Sequence, residues 1–122
     1  YLSKPYAMVA LGAICAATDA EADRLAASAR LMRRRLRQGD LRPIPSVEEA
    51  ERELAELPAR PSEAASEWPR YFIGSPQTVH TSLTALADAL HIDEVLIVTI
   101  VHDHAVRLRS YELLAQAFSL SV

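Results

Sequence analysis

Thr99, His102, Asp103 and His104 place a hydroxyl, two imidazoles and a carboxylate within a few residues of the apolar run VLIVTIV at 95–101. An imidazole with its unperturbed pKa of about 6.5 can act as a general acid or base at neutral pH, or hydrogen-bond a ligand. A His-x-His pair can also ligate a metal, but two imidazoles leave the third protein ligand unsupplied locally, so no metal site is expected. The structural alternative is that Asp103 caps the following helix while the histidines pack near its start. The second candidate is Gly74-Ser75-Pro76, where the β-prone run RYFI at 70–73 gives way to a helix. Free N–H groups at a helix start attract phosphate or another anion, whereas the structural reading makes Ser75 a cap and nothing more. The pattern is neither the six-position glycine fingerprint of a dinucleotide fold nor a P-loop.

Other reactive side chains are poorly placed for chemistry. Cys15 lies mid-run among apolar residues, where burial raises a thiol pKa and makes it a small hydrophobe. His80 and His91 read as surface residues of a helix and its exit. Ser75, His80 and Asp88 make no triad, because no G-x-S-x-G elbow is present. Arg33, Arg34, Arg35 and Arg37 sit at the end of a helix, where cations complement the dipole, and read as a solvated helix end. Trp68, Tyr71 and Phe72 cluster at a strand entry and read as packing.

The elements that must position these residues alternate. Residues 6–17 (YAMVALGAICAA) suit a strand covered on both faces, and Thr18 with Glu21 has capping-box spacing. A helix follows with Ala22, Leu25, Ala29, Met32 and Leu36 at helical intervals, ending near Gly39. Ser46 and Glu49 open a second, short helix bearing Val47, Ala50, Leu54 and Leu57, and residues 58–69 read as an irregular excursion. The strand at 70–73 precedes a helix with the stripe Val79, Leu83, Leu86 and Leu90. The strand at 95–101 should be buried on both sides, and the last helix carries Leu108, Tyr111, Leu114 or Ala115, and Phe118. Such alternation predicts parallel strands joined by right-handed crossovers, an α/β class.

Composition bounds the function. The 122 residues are half apolar, which predicts a buried core, and 16 acidic against 13 basic residues give a net charge of −3, a poor match to nucleic acid. The single cysteine precludes an internal disulfide and fits a cytoplasmic setting. The longest apolar run is about half of the ~20 residues that span a bilayer, and no signal peptide is read.

The segments YFIGSPQTVHTSLTALADAL and DEVLIVTIVHDHAVRLRSYELLAQAF, within residues 71–120, resemble the C-terminal end of bacterial luciferase-like flavin-dependent monooxygenases. The opening PYAMVALGAICAATDAEADRLAAS is similar to an earlier strand and helix of the same barrels, and only residues 41–69 are weakly diagnostic. The resemblance implies a partial TIM (β/α)₈ barrel made of its last three βα units, strands six to eight. Unit six would span residues 1–40, a helical insertion 41–69, unit seven 70–92 and unit eight 93–122. It also implies reduced FMN, dioxygen and a small organic substrate in the parent enzyme, or the deazaflavin F420 in a reductase of the same superfamily. Gly74 and Ser75 would then approach the cofactor, with Thr99, His102 and His104 close to flavin or substrate. The catalytic residues would lie on strands that this sequence does not contain, so the chain would be inactive alone. A full barrel needs about 250 residues, and three strands leave two open edges. The remaining reading is therefore a noncatalytic protein that completes a barrel or associates with copies of itself.

Overall fold

Among the residues described by the computed structural model, 2–58 and 68–120, three strands and four helices follow one another. They are β1 (Met8–Cys15), α1 (Asp19–Arg37), α2 (Val47–Glu56), β2 (Tyr71–Gly74), α3 (Pro76–Leu90), β3 (Glu94–Val98) and α4 (His104–Ala117). Most of the excursion expected at 58–69 lies outside the described residues. Each helix begins where a short polar side chain can take up an orphan N–H. Thr18 Oγ1 accepts from Glu21 N at 3.2 Å, Ser46 Oγ from Glu49 N at 3.1 Å, and Asp103 Oδ1 from Val106 N at 3.0 Å. Ser75 Oγ takes the Thr78 N–H in the same way at 3.4 Å. Past the end of α1 the chain reverses through Gly39 at φ 76°, a conformation that costs glycine little.

All strands are parallel, in the order β2-β1-β3. Gly12 to Cys15 of β1 register with Tyr71 to Gly74, and Met8 to Gly12 register with Glu94 to Val98. This order corrects the barrel expectation. Successive barrel staves would place β2 between the other two strands and keep every helix on one face. Here the chain leaves β1 to one side, forms β2, and returns across β1 to form β3. Right-handed crossovers taken in opposite directions put their helices on opposite faces. Ile14 and Ile73 accordingly pack against Ala26 and Ala29 of α1, while Ala13, Cys15 and Phe72 pack against α3 and α4 through Val79, Leu83, Leu86, Leu113 and Leu114. The architecture is a three-stranded parallel α/β sheet covered on both sides, not three units of a (β/α)₈ barrel.

Two further expectations change. β3 was to be buried on both faces, yet Leu96 is 49% and Val98 44% exposed. The strand pairs with β1, and Val95 and Ile97 are half-buried against the α3 and α4 side chains, whereas the opposite face, with Glu94, Leu96 and Val98, is left open. On α4 the inward residues are Ser110, Leu113 and Leu114, whereas Leu108 is half exposed and Tyr111 about two-fifths exposed.

The arginine run is not simply a solvated end. Arg33 lies over the Tyr71 ring, 4.3 Å from its centroid, and that ring covers Gly12 so closely that a Cβ there would come within 2.5 Å of it. Arg35 is only 3% exposed and bridges α1 to α2, with Nη2 2.7 Å from Glu49 Oε1 and 2.6 Å from Glu53 Oε2. The Glu53 and Glu49 carboxylates raise its already high pKa, so it stays charged. Beside it Ala27, Leu31 and Ala50 supply a small apolar contact, joined by Leu54 and Leu57. Removing one partner of a buried charge cluster is costly because the others are left uncompensated. Both glutamates are partly hydrated, which reduces that cost. Arg35→Ala is expected to destabilise the protein by about 1–3 kcal/mol in urea denaturation. Arg34→Ala, on a more exposed side chain, should shift the midpoint little.

Candidate functional site

The carboxyl ends of parallel strands are where ligands of α/β sheets bind. All the sequence-nominated residues stand at that end, and each is already engaged. Thr99, 3% exposed, donates its hydroxyl to the Ala13 carbonyl at 2.8 Å, and its N–H goes to the Tyr111 hydroxyl at 3.0 Å. The neighbouring Cys15 N–H donates to Ser110 Oγ at 2.9 Å. Two residues of α4 thus hold the ends of β1 and β3 together.

Gly74 and Ser75 do open a helix, but its anion position is filled from within the chain. Ser75 N donates to Asp19 Oδ1 at 2.6 Å, and a Cβ on Gly74 would lie 2.8 Å from that oxygen and 2.7 Å from Thr78 Cγ2. The Ser75 backbone N–H, helped by the Thr78 and Ser75 hydroxyls, holds the Asp19 carboxyl below its ordinary pKa. The close approach of helix and carboxylate is what glycine permits here.

His102 Nδ1 lies 2.9 Å from the Ile44 carbonyl, which can only accept, so Nδ1 is the donor. His104 has the opposite arrangement. Its Nδ1 is 2.7 Å from Arg107 Nη2, a group that can only donate. The imidazoles serve different partners and do not converge. Among the described residues no group of three or more His, Cys, Asp or Glu side chains is arranged to hold a metal ion.

Two small cavities lie at this end of the sheet. One, of about 260 Å³, is bordered by His102, Asp103, Arg24 and Glu48; the other, of about 250 Å³, by Cys15, Glu21 and Arg109; Leu25 and Val106 separate them. Both fall below the ~300–1,000 Å³ of ordinary ligand sites. The cations beside them are committed, Arg24 to Glu48 and Glu51 and Arg109 to Glu112. Burial pushes the Cys15 thiol up to about 11, which keeps it protonated and unreactive at neutral pH. A larger apolar groove of about 630 Å³ runs beside β3, bordered by Val95, Ile97, Leu83, Leu114 and Phe118, with Asp93 and Glu94 at one end and no cation. FMN needs room for a tricyclic ring and a counter-charge for its phosphate, and neither kind of cavity provides both. The described residues do not fit FMN by themselves.

No family model matches the chain. It is 34% identical over 124 residues to the uncharacterized protein YceB of Bacillus subtilis (strain 168), covering 97% of this chain and 35% of the relative. It is also 34% identical over 116 residues to the uncharacterized protein YwcH of the same organism, covering 94% and 34%. The crystal structure of apo-MsnO8 superposes with a TM-score of 0.88 at 44% identity, over 96% of this chain and 36% of that one. The chain therefore spans about a third of the length of each. These findings correct the resemblance drawn from residues 71–120. What the chain matches is one stretch of apo-MsnO8 and of two uncharacterized proteins, and it matches with the α/β fold described above rather than with the last units of a luciferase-like barrel. Among the described residues no helix is long and apolar enough to cross a membrane.

Asp19, Ser110 and the Ile44 carbonyl were not singled out by sequence, and Tyr111 was read only as part of the apolar stripe of the last helix, not for its hydroxyl. Asp19 looks like an ordinary first-turn acid, and nothing in local spacing links it to Ser75, 56 residues away. A carboxyl with a depressed folded pKa stabilises above its unfolded pKa, about 3.9, and that contribution is lost as pH falls through the folded value. The stability advantage of the native protein over Asp19→Asn should therefore shrink as pH drops below about 4. Urea midpoints at pH 6 and pH 3 measure it, and an advantage of equal size at both would show that ionisation is not involved.

Proposed function

We propose that the chain acts by association, through β3 and the apolar surface around it, rather than as an autonomous catalyst. The supporting observation is that, among the described residues, β3 pairs on one edge only and shows Leu96 and Val98 to solvent beside Met8, itself 59% exposed. Contiguous exposed apolar surface of this kind marks interaction sites. The shortage of free cations and of cavity volume at the strand ends weighs in the same direction. The lone, buried Cys15 supports a reducing, cytoplasmic setting. Under native conditions the protein should bind an apolar dye such as anilinonaphthalene sulfonate. Leu96→Lys combined with Val98→Lys should cut that fluorescence several-fold while leaving the helical circular dichroism unchanged. Weak dye binding by the native protein, unaffected by the two lysines, contradicts the reading.

A second reading is supported by the common placement of Gly74, Ser75, Thr99, His102 and His104 at the carboxyl ends of parallel strands. In it the assembled protein oxidises a small organic substrate with reduced FMN and dioxygen, or transfers hydride with F420, and this chain supplies only part of the rim. Because the described residues do not enclose the cofactor, the isolated chain should show no saturable quenching of FMN fluorescence at micromolar concentrations. Tight binding to the chain alone overturns both the association reading and the view that this chain is incomplete for flavin.

A further inference from the structure

We propose that α2 is a strap that undocks from α1 while the sheet stays folded, held by ion pairs across one seam and opening the cavity beside His102 when it lifts. Its contacts lie on α1 and on the turn before α4, so the device is separate from association at β3.

Isolated helices shorter than about 12–15 residues are marginal in water, and α2 has 10, so it is helical because it is docked. Among the described elements its one substantial neighbour is α1. Ala50 is the buried residue of the helix, and Leu54, with Leu57 just past its end, packs partly buried beside Ala27 and Leu31. By contrast, α3 sinks Val79, Leu83 and Leu86 into the main core.

What the apolar contact lacks, charge supplies. The helix reads Val-Glu-Glu-Ala-Glu-Arg-Glu-Leu-Ala-Glu, five carboxylates against one cation, and it lies on an arginine-bearing side of α1. Arg24 Nε is 3.0 Å from Glu51 Oε1 and its Nη2 is 3.3 Å from Glu48 Oε1. Farther along the seam Arg35 holds Glu49 and Glu53 at 2.7 and 2.6 Å. All four pairs run from α1 to α2, so separating the helices breaks them together. The outer pairs are hydrated, the Arg24 side chain being 54% exposed. Such pairs weaken as the Debye length falls from about 30 Å at 0.01 M salt to about 3 Å at 1 M. Apolar packing is not screened in this way.

The surroundings allow the helix to lift. Gly39, at φ 76°, has nothing within 4 Å of where a Cβ would stand, so the reversal ahead of α2 is uncrowded. The tie to the strand ends is the His102 Nδ1 bond to the Ile44 carbonyl. Ser46, Val47 and Glu48 wall the cavity of about 260 Å³ against Val101, His102 and Val106. Lifting α2 removes that wall and uncovers Val101, 3% exposed when docked, at the carboxyl end of the sheet. A cavity too small for a ligand in the docked state becomes an open cleft in the lifted one.

Native-state amide exchange on the full chain is the test. Amides of α2 should exchange at least tenfold faster than those of β1 and α3. Raising sodium chloride from about 0.01 M to about 1 M should speed α2 a further several-fold relative to α3. Arg24→Ala should do the same at low salt, whereas Arg109→Ala, which breaks an exposed pair within α4, should leave α2 unchanged. A thiol readout separates undocking from fraying. Ala50→Cys, at a position 0% exposed, should react with a small disulfide reagent well ahead of Cys15, 1% exposed, and faster as salt rises. Ala27→Cys on the facing side of the seam gives the same reading if Ala50→Cys does not fold. Exchange of α2 no faster than β1 and α3 overturns the proposal, because the helix then leaves only in global unfolding. Fast exchange indifferent to salt and to Arg24 overturns the ionic seam, and fast exchange with an unreactive thiol at both positions reduces the event to fraying and overturns the strap.

Discussion

β1 is the constraint on which the fold depends, because it is hydrogen-bonded on both edges and, over its second half, covered on both faces. Ala13, Ile14 and Cys15 are at most 1% exposed. Backbone groups buried this deeply cost about 1–3 kcal/mol each if left unpaired. β2 and β3 take up the two edges, and where β1 outruns its pairing with β3 the chain uses side chains instead. Ser110 Oγ accepts the Cys15 N–H, and the Thr99 hydroxyl donates to the Ala13 carbonyl. These two bonds span 95 and 86 residues, so they tie the last helix and the last strand to the first strand.

Several charged and polar groups that look functional in a list are absorbed by that task. Asp19 completes the start of α3, Asp103 the start of α4, and His102 anchors the loop before α2 through the Ile44 carbonyl. Arg35 holds α2 onto α1 where the apolar contact is small. Helix starts and strand ends are rich in orphan backbone groups, so polar residues there have structural uses before any ligand arrives. This is why the residues with the most suggestive chemistry lie in the right place for a site and yet do not assemble one.

The local layer of the fold was legible in the sequence. Thr18, Ser46, Ser75 and Asp103 cap the helices they precede, and Val79, Leu83 and Leu86 face inward as their spacing requires, while Leu90 of the same stripe is exposed at the end of its helix. Strand order was not legible. Alternating strands and helices are satisfied equally by an arc of a barrel and by a sheet wound in both directions, since each crossover is locally the same object. What decides is the side of β1 on which β2 and β3 pair, a property of Gly12–Tyr71 and Met8–Glu94 contacts that no local pattern encodes. The error at β3 has the same origin. The run Val-Leu-Ile-Val suits a strand covered on both faces, and the sequence does not say what covers it. Arg35 differs from its neighbours only by its phase on α1, which matters once α2 is known to pack there.

The position of β3 links the exposed flank to the strand ends. Its last residue, Val98, leads through Thr99 directly into the turn that carries His102 and Asp103. Thr99 is fixed to Ala13 and Tyr111, so β3 cannot shift along β1 without disturbing that turn.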